Sequence, residues 1–215
     1  MSNFWSNVTP VVKNLIIINA VVLLGTLLIG DKAYEYLALF PFESHYFRGY
    51  QMITHMFMHG GFWHLFFNMY TLMIFGTALE RMWGGRKFLL FYFVTGLGAA
   101  LCHNLVLHLQ IEHFQAIGDA ARAAAAMATP TVGASGAIYG VLLGYAMLFP
   151  NQVLQLIFPP VAMKAKWFVI IFGAIELLTG ITGMGGNIAH FAHLGGMLFG
   201  LLLILYWKKK NRMYY

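Results

Sequence analysis

Charge is what this sequence has least of. Only 9% of its 215 residues are Asp, Glu, Lys or Arg, whereas 60% are hydrophobic. A soluble domain carries about 25% charged residues, so a water-exposed globule is excluded and a membrane-embedded chain is expected. Cysteine is nearly absent: Cys102 stands alone, which leaves no disulfide framework and no cysteine-based metal site. Zinc hydrolase chemistry lacks its signature as well. His55-Met56-Phe57-Met58-His59 has two histidines at helical spacing but no glutamate base between them. No metal and no cofactor are therefore expected.

What is present is a series of apolar runs, at residues 12–30, 62–80, 87–108, 134–150, 166–182 and 188–207. Each approaches the roughly 20 residues that span hydrocarbon. The fourth and fifth are short, with Gly133 and Pro150 blurring the ends of the fourth. Lipid cannot satisfy backbone polar groups, so the expected fold is an all-α polytopic membrane protein, a single domain with six transmembrane helices. The first run is too long and too poorly flanked for a cleaved signal and is expected to stay as the first helix. Basic residues set the orientation. With the N-terminus inside, Lys13, Arg81, Arg86, Lys87, Lys164, Lys166, Lys208, Lys209, Lys210 and Arg212 fall on the inner side, ten of the thirteen. Lys32, Arg48 and Arg122 fall outside. Both termini are thus expected in the cytoplasm, of a prokaryotic plasma membrane because no organelle-targeting extension is visible. The net charge of +6 reads as topology, and no nucleic-acid partner is expected.

Two outer connections are long. The first, about residues 31–61, carries Tyr34, Tyr36, Phe40, Phe42, Tyr46, Phe47 and Tyr50, and is expected to lie against the outer leaflet. The second contains the alanine-rich stretch 120–128, which suits either a short surface helix or an irregular loop. Pro130 breaks it before the fourth span.

Candidate chemistry collects at one depth. His59, His64 and Asn68 lie at the outer end of the second span, Ser135 in the first turn of the fourth, and His193 one or two turns into the sixth. Ser135 reads either as a packing hydroxyl or as a nucleophile. Gly136, Gly140 and Gly144, and likewise Gly196 and Gly200, repeat at the four-residue spacing that lets membrane helices approach closely. Close approach serves both readings. An intramembrane histidine needs a partner or a wet cavity, and His193 reads either as an interhelical hydrogen-bonding group or as the base that takes the Ser135 proton. His64 and Asn68 share a helix face. They either bond across an interface or donate to a developing oxyanion, alongside the Ser135 amide. His59 is expected to hydrogen-bond in the outer loop or at the mouth of the site, and His190 to line that mouth or bond locally. Glu176, in the fifth span, reads as a buried structural partner, as a group facing another cavity or, third, as a direct participant in catalysis; the serine–histidine reading does not require it.

Three segments in order carry a resemblance to a known family. His59-Gly60-Gly61-Phe62-Trp63-His64-Leu65-Phe66-Phe67-Asn68, Gly133-Ala134-Ser135-Gly136 and Ala192-His193-Leu194-Gly195-Gly196 resemble the motifs of the rhomboid intramembrane serine proteases, of the minimal six-helix bacterial type. The resemblance implies a six-helix rhomboid-like bundle with a Ser135–His193 dyad. It implies an oxyanion hole from His64, Asn68 and the Ser135 amide. Tyr139 would support the His193 ring, Gly133 would allow close backbone approach, and His59 would be structural. Glu80-Arg81 resembles a topology or folding element. Substrates would be membrane proteins with a transmembrane segment, cut by way of an acyl-enzyme in or near the outer membrane region, with lipids as surroundings. The fifth helix and the loop with Thr182, Gly183, Gly185 and Gly186 would gate entry. The alternative is a non-proteolytic membrane-protein binding or translocation factor of the same architecture. One departure is visible: Tyr50-Gln51 stands where the family often has Trp-Arg, which bears on how the first outer loop bonds internally.

Overall fold

The computed structural model describes residues 4–155, 160–183 and 189–210. Gly185, Gly186, Arg212 and the expected start of the sixth span at 188 lie outside the described residues. Among the described residues five helices are long and apolar enough to cross a membrane: α1 (Pro10–Ile29), α2 (Phe62–Trp83), α3 (Gly85–Ala116), α5 (Ala165–Thr182) and α6 (His190–Lys209). Between α3 and α5 lies a shorter apolar helix, α4 (Ser135–Leu148). The chain is therefore a multi-pass helical membrane protein.

Local chemistry accounts for the helix ends. Pro10 opens α1 at a position where its missing N–H costs nothing. The next amides of α1 are satisfied from a distance: Val11 N and Val12 N donate to the two carboxylate oxygens of Glu80, at 3.0 and 2.9 Å. Beside it, Arg81 donates to the Asn7 carbonyl. Glu80 and Arg81 thus fasten the start of α1 to the C-terminal end of α2. Gly84, with φ 76°, makes the one-residue break from which α3 departs. A π-helical turn at Leu72–Gly76 interrupts α2.

Several expected bounds shift. Helix α3 has 32 residues, about 48 Å at 1.5 Å per residue, and runs eight residues past the apolar stretch that ends at 108. Those last eight residues include Glu112 and His113. The alanine stretch forms a surface helix, Ala120–Met127, whose first turn is capped by Asp119 accepting from Arg122 N. Helix α4 starts at Ser135 and stops at Leu148, before Pro150. At 14 residues it is only about 21 Å long. Between α4 and α5 the chain makes a small antiparallel hairpin, β1 (Val153–Gln155) against β2 (Ala162–Lys164), pairing Leu154 with Met163. An apolar-run reading misses so short a hairpin.

The core is built on α4, which packs with α3 and α6. A Cβ on Gly196 would lie 1.9 Å from the Gly136 carbonyl oxygen, and one on Gly136 would lie 2.4 Å from the Ala99 Cβ. The glycine spacing thus does bring α4 against α6. Below this crossing, Phe88, Phe91, Tyr92, Val141 and Ile204 are fully or almost fully buried.

The first long loop, about residues 31–61, has two faces. Leu39, Phe40 and Met58 point inward and are buried, while Tyr36, Phe42 and Tyr50 remain exposed. Gln51 holds this fold together. Fully buried, its carboxamide donates to the Glu35 and Tyr46 carbonyls, and its oxygen accepts from Arg48 N. Position 51, where the sequence departs from the family pattern, thus bonds the loop internally.

Candidate active site

Ser135 is the first residue of α4, and the segment before it must place a helix N-terminus inside the bundle. Irregular backbone at such depth needs internal partners. It has them. Leu39 and Thr131 exchange two backbone hydrogen bonds of 2.9 and 2.8 Å. Gly133 N donates to the His55 carbonyl at 2.9 Å, and His103 Nε2 contacts Thr131 Oγ1 at 2.9 Å. Gly133 adopts φ 131°, a conformation that side chains other than glycine rarely accept. The outer loop and α3 thereby pin the turn that presents Ser135.

The hydroxyl meets the base. His193 Nε2 lies 2.8 Å from Ser135 Oγ, and His193 is buried on α6. Tyr139, one turn along α4, stacks on the His193 ring with centroids 4.2 Å apart and planes within 4°. That contact fixes the ring's tilt. The close crossing of α4 and α6 at Gly136 and Gly196 is what brings serine and histidine within reach.

His64 stands on the other side of Gly133. A Cβ at Gly133 would be 2.9 Å from both His64 Cε1 and Nε2, and 3.5 Å from Ser135 Oγ. Any larger residue at 133 would fill the gap between the imidazole and the hydroxyl. His64 Nδ1 accepts from Gly60 N at 3.3 Å, so the proton of the neutral ring sits on Nε2, the atom that faces the site. Asn68 lies one turn further in and is buried; its Nδ2 donates to the His64 carbonyl at 2.8 Å, which leaves the second N–H of that amide.

His59 is buried, but neither ring nitrogen makes a well-formed hydrogen bond. It packs its ring against His64 at 4.9 Å, nearly edge-on. His59 thus packs behind His64 with the Phe57 backbone as its polar neighbour. Burial first, then the neighbouring His64, holds its pKa down at about 4. His55 is also held at about 4 by burial, against a hydrogen bond of 2.8 Å between Nδ1 and the Gln51 carbonyl.

Two residues gain a place that sequence patterning did not assign. The His55 backbone anchors the serine turn. Glu176 of α5, expected to be a structural partner or to face another cavity, lies beside the serine–histidine pair. It accepts from the Tyr139 hydroxyl and contacts His190 Nδ1 at 2.6 Å and His193 Nδ1 at 2.9 Å. His190 is held locally by Glu176 and by Thr179 Oγ1 at 3.1 Å. Glu176 was visible as a lone acid in an apolar span, but its partners come from two other helices. Among the described residues no group of three or more His, Cys, Asp or Glu is arranged to hold a metal ion.

A multi-pass helical bundle that sets a serine against a histidine within its core defines the class. Comparison with known proteins specifies it further. The profile described as Rhomboid domain matches residues 46–210, well over half of the chain. The chain is 31% identical over 152 residues to Rhomboid protein 1, mitochondrial, of Saccharomyces cerevisiae, covering 70% of this chain and 40% of that protein. It is 29% identical over 150 residues to Rhomboid protease AarA of Providencia stuartii, covering 69% and 52%. It is 33% identical over 153 residues to RHOMBOID-like protein 6, mitochondrial, of Arabidopsis thaliana, covering 71% and 42%. This chain belongs to the rhomboid family. It spans about half or less of the length of these three relatives.

Proposed function

We propose that the chain is an intramembrane serine endopeptidase that cuts transmembrane protein substrates. The observation that carries this reading is the 2.8 Å approach of His193 Nε2 to Ser135 Oγ, within a chain of the rhomboid family. His193 accepts the hydroxyl proton as Ser135 Oγ attacks a peptide carbonyl. His64 Nε2–H, an Asn68 Nδ2–H and the Ser135 backbone N–H, one of the free first-turn amides, donate to the oxyanion. His193 then gives its proton to the leaving amine. A water, deprotonated by the same ring, hydrolyses the ester and frees Ser135. Gly133 keeps the oxyanion side open, Tyr139 holds the ring, and His59 backs His64. No cofactor enters this sequence of steps.

The membrane placement belongs to the same proposal. Helix α4, the fourth of six crossings in a minimal bacterial-type bundle, reaches the outer surface through the pinned segment before Ser135. Both termini lie in the cytoplasm of a prokaryotic cell, with the site opening to the extracytoplasmic side. Substrates are single-span or other membrane proteins, entering from the surrounding lipid. Helix α5 suits a gate: it buries only Ala165, Phe168, Val169 and Glu176, and presents Trp167, Ile170, Ile171, Leu178 and Ile181 outward.

The test is cleavage of a panel of single-span substrates by protein reconstituted in liposomes. Ser135→Ala and His193→Ala should each lower cleavage by at least about 10³-fold, with insertion and thermal melting retained. Product from Ser135→Ala at the wild-type rate would overturn the mechanism. Binding without cleavage by the wild type would favour the non-proteolytic alternative.

A further inference from the structure

Of the two acids buried among the described residues, Glu80 and Glu176, it is Glu176 that touches the reacting pair. An ionisable group in a membrane span is costly without partners. Here the carboxylate has three: the Tyr139 hydroxyl, His190 Nδ1 and His193 Nδ1. Tyr139 and His193 are the two stacked rings of the site, so one carboxylate stands at the edges of both. His193 Nδ1 is buried and finds no aligned hydrogen-bond partner among the described residues. Glu176 Oε1, 2.9 Å away, is the acceptor that stands beside it. In this resting arrangement the N–H does not point straight at that oxygen, so the contact acts as charge beside the ring.

We propose that Glu176 is a positioning residue for His193, acting through Nδ1. The inference rests on the serine–histidine reading and deepens the same site. A base must present an unprotonated Nε2 to Ser135, so its ring proton must sit on Nδ1. A carboxylate next to Nδ1 favours that tautomer and favours the imidazolium formed when Nε2 takes the serine proton. An acid aligned on a catalytic histidine is worth about 10⁴-fold in kcat. The off-axis contact here corresponds to a smaller effect. The same residue draws α5 onto α4 and α6, so chemistry and anchoring of the outward-facing helix share one carboxylate.

The experiment compares the wild type with Glu176→Gln, which keeps size and removes charge. In liposomes with a single-span substrate, kcat is expected to fall about ten- to a hundredfold, short of the aligned case, with KM within about twofold. A small fluorophosphonate, which needs no lateral entry of a helix, should label Ser135 more slowly by a similar factor. A Glu176 that only anchors α5 would raise KM or lower the melting midpoint while leaving the labelling rate unchanged, and that result overturns the inference. Should the Gln variant not fold, the ¹⁵N resonances of His193 in the wild-type protein decide: an Nδ1–H tautomer supports the role, and an Nε2–H tautomer overturns it. Ser135→Ala runs alongside. Full cleavage by that variant defeats the serine–histidine reading itself. Lost cleavage there together with wild-type kcat in Glu176→Gln defeats only the role of Glu176.

Discussion

At the scale of single residues, burial decides what each polar group does. His55 and His59 sit in the outer loop, outside the spans, with pKa values held down at about 4 by burial from an ordinary 6.5. The unfolded chain therefore takes up protons that the folded chain refuses. Above about pH 6.5 both states hold these rings neutral and the two histidines add no pH dependence. Between about pH 6.5 and 4 the unfolded state binds more protons, so stability falls as pH falls. Melting in detergent should show a midpoint that drops through this window, and His55→Gln should flatten the slope. A midpoint independent of pH in that range would contradict the buried, neutral rings. The loss matters for the site because the His55 carbonyl holds Gly133, next to the proposed nucleophile. Ser135, His193, His64 and Asn68 could be picked from the sequence as chemistry at one depth. His55 could not, because it contributes a backbone carbonyl, which leaves no residue-type signal.

At the scale of elements, α4 and α6 are read most directly from their glycines. Four-residue spacing predicts a close crossing, and Gly136 and Gly196 make it. Gly196→Ala forces a methyl into the Gly136 carbonyl, a rigid backbone atom that cannot yield like a flexible side chain. We expect a loss of about 1–3 kcal/mol from overpacking, seen as a lower melting midpoint, and weaker cleavage because α6 carries His193. Gly25→Ala on α1, where a Cβ meets nothing within 4 Å, should be neutral in the same assays. Equal stability of both variants would show that the crossing is not tight. Other elements were less legible. The excess length of α3 and the hairpin β1–β2 lie outside the apolar pattern. The end of α4 at Leu148 comes from Pro150, which the hydrophobic run alone carries two residues too far. The aromatic content of the first loop was legible, but the burial of its inward half depends on Gln51 finding backbone partners.

At the scale of the whole molecule, the proposed orientation rests on ten basic residues against three and on the depth of Ser135. In a Cys102→Ser background, Arg122→Cys should react with a membrane-impermeant maleimide on intact spheroplasts, whereas Lys208→Cys should react only after lysis. The reverse pattern would invert the topology. Composition and hydrophobic spacing by themselves determined a polytopic helical protein, because low charge and long apolar runs admit few other solutions in lipid. Ordered motifs determined the family and the candidate serine and histidines, because each motif is local in the chain. Only the tertiary structure decided that Ser135 and His193 stand at hydrogen-bond distance, that the outer loop pins the serine turn, and that Glu176 joins them from a third helix. Those outcomes depend on contacts between residues tens of positions apart, set by how glycine faces, a buried glutamine and a capped first helix pack together.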